Sequence, residues 1–367
     1  VKLFFSLWLT LAGATCPATA LPPIQTVFII LMENKNWSDI KGSTNAPYIN
    51  SLLPMASYCE QYYNPPGLHP SLPNYLWLEA GTNFGIYDNY PPATNHQSTT
   101  NHLVTLLKNA GISWKTYQED IDGTYVPLLS TNDYAARHNP FVYFDDVTGT
   151  NDPNHAYGIM HIRPYTEFAT DLASNTVARY NFLKPNLCHD MHDACLPATN
   201  AIRAGDDWLA NEVPKILASQ AYQNGGALFI TFDEGWPGDG PIAMIVLSPF
   251  ARGGGYFNSI YYTHSSMLRT LQEIFGVGPL LGDAANATNL SDLFCSFGFS
   301  RVVKLSGGEL ELTATGVVPN RPNVVEVSTN LIDWVALSTN TVSTNTFAFT
   351  NSVGNEASRF YRLLERR

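Results

Sequence analysis

The sequence predicts an α/β sandwich built on a largely parallel central sheet and followed by a small all-β module. Three observations carry this reading: unbroken apolar runs, helix-patterned segments between them, and a change of texture near residue 300. The runs at 26–32, 226–232 and 242–248 do not alternate apolar with polar residues, as befits strands covered on both faces of a parallel sheet. Helix patterns cover 74–81, 102–110, 206–219 and 265–275, with Asp206 and Ser265 as expected N-caps and Gly111 and Gly276 as expected stops. Residues 120–165 are rich in aromatics, Asn and Pro and read as long loops over one sheet edge, a place where function concentrates. Beyond Arg301, strand-like stretches at 305–315, 323–328, 334–338 and 346–350 are separated by Thr/Asn/Gly turns. The expected organisation is one large domain over 21–300 and a β-sandwich-like module over 301–367, with Trp334 and Tyr361 in the module's core.

Residues 1–20 read as a signal peptide: Lys2, an apolar run to Ala14, and the small-x-small triplet Ala18-Thr19-Ala20. The competing reading is a lipoprotein anchored at Cys16, against which Gly13-Ala14-Thr15 makes a poor lipobox. No later stretch approaches the roughly 20 apolar residues of a spanning helix, so the expected location is secreted or periplasmic. Four further cysteines, Cys59, Cys188, Cys195 and Cys295, suit an oxidising compartment. Cys188 and Cys195 enclose a short loop and are expected to pair, which leaves Cys59 for Cys295. A structural zinc on Cys188, Cys195 and the histidines between them is the alternative, and neighbouring Cys188 and His189 would face one ion poorly.

The chain has 20 basic and 31 acidic residues, a formal charge of -11. Residues 21–300 hold 12 of the basic and 25 of the acidic residues, and all nine histidines. So acidic a domain repels a phosphate backbone, and nucleic acid is excluded as a partner. Carboxylates and imidazoles gathered together point instead to metal or acid-base chemistry.

In open α/β sheets ligands bind beyond the carboxyl ends of strands. Two of the apolar runs end in acidic groups, one in Glu33-Asn34 and one in Asp233-Glu234, so oxygen ligands from separate strands could converge on one cation. Ser71 precedes Pro73 and a helix pattern, which places its hydroxyl at a helix amino terminus where backbone N–H groups favour an alkoxide or a phosphate. It is a candidate nucleophile, the plain alternative being a helix cap. The stretch 185–195 packs His189, Asp190, His192 and Asp193 into one short loop, and His69 and His264 complete an acid-base set.

At these residues the chain resembles the bacterial phosphoesterase family of exported acid phosphatases and phospholipase C enzymes, within the alkaline-phosphatase-like superfamily. The matching pieces are Met32-Glu33-Asn34, the segment 69–75, the segment 137–141, Pro185 to Cys188 with 190–193, the segment 232–235, and Tyr262-Thr263-His264 before a helix ending Phe275-Gly276. The resemblance implies that Glu33, Asn34, Asp233 and Glu234 hold a divalent metal ion whose coordination the Ser71 hydroxyl joins as nucleophile. It also implies that His69, His189, His192 and His264 surround the phosphoryl oxygens, one of them protonating the leaving alcohol. Two-metal relatives have an Asp-His pair where this chain has Asp233-Glu234, so one metal per catalytic domain is expected. The implied activity is hydrolysis of phosphate monoesters on a phosphorylated small molecule or lipid head group, through a phosphoserine and with an acidic pH optimum. The alternatives are a phospholipase C or phosphodiesterase of the same superfamily and, from another class, a non-catalytic envelope- or glycan-binding protein.

Overall fold

The computed structural model describes residues 21–365 except 132, 296–297, 306, 318–319, 345 and 353–358. The expected signal peptide lies outside the described residues. Eight strands form the central sheet: β1 (Thr26–Met32), β2 (Ser57–Cys59), β3 (Trp114–Gln118), β4 (Ile162–Pro164), β5 (Tyr180–Lys184), β6 (Gly226–Phe232), β7 (Met244–Leu247) and β8 (Tyr256–Asn258). Their order is β4-β3-β5-β1-β6-β7-β2-β8. All neighbours pair in parallel except those of β7, which is antiparallel to β6 and to β2. The expectation of a parallel strand there fails for a local reason: the stretch between β6 and β7 contains no helix to carry a parallel crossover. In β1 nearly every residue is buried, and in β5 and β6 every one is, as two covered faces require.

Four longer helices flank the sheet: α1 (Ser71–Ala80), α2 (Leu103–Asn109), α3 (Ala201–Ala218) and α4 (His264–Phe275). Both expected N-caps are displaced. Asn200 caps α3, accepting from the Arg203 N–H, and Thr263 caps α4 in a reciprocal box with Ser266. Asp206 instead points inward and accepts the Tyr48 and Ile49 amides at 2.8 Å each, so it caps the short helix Pro47–Leu52 from another element. Gly276 closes α4 at φ +65, as expected of a left-handed stop. The segment 120–165 is not loop alone: it holds the short helical pieces Ala136–His138, Pro140–Tyr143, Asp145–Thr148 and Ala156–His161 before edge strand β4.

Cys188 and Cys195 form a disulfide. Cys59 and Cys295 are free, which corrects the pairing by elimination. Cys59 is buried opposite Asn258, and the Cys295 thiol lies 3.7 Å from the Ala251 carbonyl oxygen. An even number of cysteines does not bring their side chains together.

The carboxy-terminal strands make two antiparallel three-stranded sheets. One comprises Gly298–Lys304, Glu309–Thr315 and Thr346–Ser352, and the other Val335–Thr341, Pro322–Ser328 and Phe360–Glu365. Ala314, Val317, Val325 and Leu363 form their buried core, with Tyr361 packed against it. Trp334 is absent from that core and lies instead under the Arg362 guanidinium at 4.2 Å. No described helix is long and apolar enough to cross a membrane.

Replacing Asp206 by Ala leaves two inward amides without an acceptor and should cost about 1–3 kcal/mol. Urea unfolding measures this; a loss below about 0.3 kcal/mol would show that the cap does not hold the Pro47–Leu52 helix.

Candidate active site

The carboxyl ends of β1, β5 and β6 lie side by side, and each delivers a charged group. Met32 pairs with Phe232, so Glu33-Asn34 and Asp233-Glu234 leave the sheet together. The Asn34 amide donates to Asp233 Oδ1 at 3.0 Å. Lys184, the last residue of β5, sends its ammonium to the Leu31 carbonyl at 3.2 Å, Glu33 Oε1 at 2.9 Å and Asp190 Oδ2 at 2.7 Å. The sequence reading missed Lys184.

Glu33 is fully buried and is the meeting point. Ser71 at the start of α1 donates its hydroxyl to Glu33 Oε2 at 3.2 Å, and Tyr75, one turn on, donates to Oε1. Ser71 is thus not an N-cap. Its neighbour's amide, Leu72, is already taken by Asn89 Oδ1 at 3.0 Å, so the helix terminus keeps fewer open donors than expected. His138 stacks on Tyr75 with centroids 5.2 Å apart, and its Nε2 lies 3.4 Å from Glu33 Oε2. His138 belongs to a matched sequence segment but carried no expected role.

The disulfide loop contributes unequally. Asp190 is buried against Lys184, and the Glu33 amide donates to its carbonyl at 2.8 Å. Met191 sits at φ +78 with its side chain buried, and a Cβ on Gly205 would lie 2.4 Å from Met191 Cγ, so glycine is required there. His192 reaches the cluster, its ring 5.9 Å from that of His138, with Nδ1 on Asp193 at 2.8 Å. His189 turns to Glu119 Oε2 at 2.8 Å, beyond the end of β3, and none of its contacts is to Glu33, Ser71 or Asp233.

On the other side, His69 places Nδ1 at 2.6 Å from Glu234 Oε2 and Nε2 at 2.7 Å from Asp239 Oδ1, and Asn74 also donates to Glu234. With both carboxylates ionised each ring nitrogen donates, the arrangement of an imidazolium. His264 is fully buried, its Nε2 donating to the Asp233 carbonyl at 2.5 Å and its Nδ1 accepting from Tyr62. Both nitrogens are engaged in this arrangement, and the ring braces the Asp233 turn.

The electrostatics are those of crowded buried anions. Burial raises the Glu33 carboxyl, but His138 and Lys184 beside it more than reverse this and hold it below its ordinary range. Burial, aided by Glu33 and Glu234, pushes Asp233 well up, and it raises Asp190 despite Lys184. Glu234 is pushed up to about 7 by burial against the opposing pull of His69. Burial lowers His264 to about 4, and His138 falls as well. Asp239 and Glu234 overcome burial and raise His69.

Two oxygens test whether these residues fit a metal. Asn34 Oδ1 and Asp233 Oδ2 are buried and have no hydrogen-bond partner among the described residues. An orphaned buried acceptor is costly unless something positive meets it. Asn34 holds φ +52, a left-handed turn from which its amide donates to Asp233. Five carboxylates (Glu33, Asp190, Asp233, Glu234, Asp239) face three cations (Lys184, Lys35, His69), and a divalent ion would balance the difference. The atoms of Glu33, His138 and Asp190 also lie close enough to share an ion. There, however, the Lys184 ammonium already bridges the two carboxylates, so the orphaned oxygens are the better-fitting donors.

Comparison with known proteins accords with this geometry. The chain is 31% identical over 281 residues to phosphatidylinositol-3-phosphatase of Mycobacterium tuberculosis, covering 76% of this chain and 85% of that one. It is 30% identical over 227 residues to the phosphate-repressible acid phosphatase of Penicillium chrysogenum, covering 58% of this chain and 51% of that one, so it spans about half the length of that relative. Phospholipase C A of M. tuberculosis is 23% identical over 354 residues, covering 80% of this chain and 65% of that one. Among solved structures, a protein in the alkaline phosphatase superfamily from Vibrio parahaemolyticus superposes with a TM-score of 0.49 at 10% identity, over 87% of this chain and 84% of that one. Residues 42–278 match the Phosphoesterase family as a whole. The chain belongs to the Phosphoesterase family.

Proposed function

We propose that this protein is an exported, metal-dependent phosphomonoesterase that works through a phosphoserine at Ser71. The observation that carries the reading is the meeting of the Ser71 hydroxyl with buried Glu33, beside the orphaned oxygens of Asn34 and Asp233. Glu33, Asn34, Asp233, Glu234 and Ser71 would hold one divalent ion, which when bound supplies Lewis-acid stabilisation of phosphoryl charge and eases loss of the serine proton. Glu33 orients Ser71 Oγ through their hydrogen bond and takes up its proton as the oxygen attacks phosphorus. As the Oγ–P bond forms, the bond from phosphorus to the leaving oxygen breaks, and that oxygen receives a proton from His69 Nε2, turned to the substrate from its exposed partner Asp239. Water then attacks the phosphoserine, giving its proton to His69 as the P–Oγ bond breaks, and Glu33 returns the proton to Ser71 Oγ, releasing phosphate. His192, at the edge of the cluster, and His138 face the phosphoryl group, where positive or donating groups are worth several kcal/mol in the transition state. Lys184 and Asp190 fix Glu33, and His264 fixes Asp233.

The similarity to a phospholipase C sustains a second reading, cleavage of phosphodiesters. Rates on a matched monoester and diester separate the two, a preference for the monoester being expected. A non-catalytic binding protein would hydrolyse neither. We further propose that residues 301–367 are a separate module: removing them should leave kcat/KM on a small aryl phosphate within about threefold, and a larger loss would move the domain boundary.

Ser71→Ala should lower kcat by at least about 10³-fold with the circular dichroism unchanged, and should abolish acid-stable labelling from a radioactive phosphate ester. Residual turnover within tenfold of wild type would remove Ser71 as the nucleophile.

Metal dependence has a signature in stability. Glu234 is raised from its ordinary 4.5 to about 7, and Asp233 and His69 are raised too. At these three groups the folded metal-free protein holds protons that the unfolded chain has lost, so their contribution to stability falls as pH rises from about 4.5 to 7, while buried His264 and His138, both lowered, contribute in the opposite sense. A divalent ion should restore the melting temperature most at the upper end of that range. Thermal melts of chelator-treated protein with and without metal measure this; equal melts at pH 7 would count against the proposed site.

A further inference from the structure

A second ionic cluster lies at the far end of the Ser71 helix, with Glu79 and His102 buried and Asp146 partly exposed. Ser71, Tyr75 and Glu79 follow one another at four-residue spacing and so share a face of α1. The first two donate to Glu33. Glu79 instead meets His102, whose Nδ1 lies 3.1 Å from Glu79 Oε1 and whose Nε2 lies 2.9 Å from Asp146 Oδ1. His102 is fully buried at the start of α2, and its ring stacks on Phe144 at 3.8 Å. Thr105 donates to the other oxygen of Asp146, and the Val104 amide donates to Glu79 at 2.7 Å. With both carboxylates ionised, each ring nitrogen donates, which only the imidazolium can do; the Thr105 hydroxyl also lies 2.9 Å from Nε2, and burial raises the Glu79 carboxyl.

We infer that His102, bridging Glu79 and Asp146, is a positioning residue that clamps the Ser71 helix to the segment carrying His138, and that loss of its proton sets the alkaline limit of turnover. The inference rests on the reading of Ser71 as nucleophile. Asp146 opens the helix that follows His138 and Pro140–Tyr143, and His138 itself stacks on Tyr75. The clamp and that stack are therefore two ties between α1 and the segment 136–148, one at Tyr75 in the middle of the helix and one at Glu79 in its last turn. Without the proton, buried Glu79 and half-buried Asp146 face one another across a ring with a single N–H, and the far tie loosens.

The other charged or titratable groups around the clamp do not replace that proton. Lys108, on the same helix as Thr105, faces Asp146, as does Tyr157 from Ala156–His161, and Tyr180 of β5 faces Glu79. Burial opposes the His102 charge, but Asp146 and Glu79 outweigh it and raise the imidazole above its ordinary value of 6.5. The clamp is thus complete at acidic pH and is lost as pH rises through that elevated value.

The test compares pH profiles of kcat/KM for wild type, Glu79→Gln and Asp146→Asn on an aryl phosphate, alongside histidine nitrogen NMR of the same proteins. Each variant removes one carboxylate while keeping its shape. We expect the alkaline limb in each to move down by roughly one pH unit, with the His102 titration moving beside it and kcat at the optimum within about threefold. A limb that stays fixed while the His102 titration moves overturns the inference and leaves the Ser71 reading intact. Should wild type hydrolyse no phosphoester, the Ser71 reading falls and with it the catalytic half of the inference. The clamp is then decided by thermal melts, whose midpoint should fall as pH rises through the His102 titration; a flat profile refutes it.

Discussion

The structure is organised around one constraint: more negative charge is buried at the carboxyl edge of the sheet than the protein's own cations balance. Glu33 cannot be withdrawn into the interior without donors, and it receives three, from Ser71, Tyr75 and Lys184. Two come from α1 and the third from the end of β5, so satisfying a single carboxylate fixes α1 against β1 and β5. Removing one partner of such a buried arrangement costs more than forming it contributes, because the remaining charge is stranded. Lys184 has the least freedom of all: it lies between Glu33 and Asp190 and also takes the Leu31 carbonyl, leaving its ammonium with three acceptors and no slack.

The same constraint explains why histidines of similar sequence appearance do different work. His69 stands between two carboxylates and stays charged, whereas His264 stands between a carbonyl oxygen and a tyrosine hydroxyl and stays neutral. His138 is wrapped in the interior beside Lys184, where a second cation is disfavoured. His189 is drawn off to Glu119. Charge state follows from what faces each ring nitrogen, and those partners lie tens to hundreds of residues away in sequence.

This sets what could be read beforehand. The two acidic pairs after β1 and β6 were legible because a continuous apolar run ending in a carboxylate has one common meaning in an α/β sheet, and the register Met32 with Phe232 joins them. Ser71 was legible through its helix-start context. Lys184 was hidden because β5 reads Tyr-Asn-Phe-Leu-Lys, whose buried Asn181 breaks the apolar signal; that asparagine is accommodated by the Val27 and Ala178 carbonyls, a tertiary fact. The orientation of His264 depends on Tyr62, which no local pattern ties to it. The caps at Asp206 and Ser265 were misplaced because a polar residue near a helix start can as readily serve a neighbouring helix.

An anionic substrate meets an acidic protein here, and the electrostatics decide how that is possible. The chain carries a formal charge of -11, and the carboxylates around Glu33 outnumber the cations beside them. A phosphate monoester dianion approaching that cluster alone is repelled, and the repulsion is strong because the carboxylates are buried and poorly screened. A divalent ion at Asn34 and Asp233 would cancel the local excess, after which the His69 imidazolium and the neighbouring donors attract the phosphoryl group. Metal and substrate would then assist one another's binding, and by thermodynamic necessity the assistance is equal in both directions. The orphaned oxygens of Asn34 and Asp233 would be met by such an ion, so that one cation would both satisfy buried acceptors and offset the charge that a phosphoryl group meets.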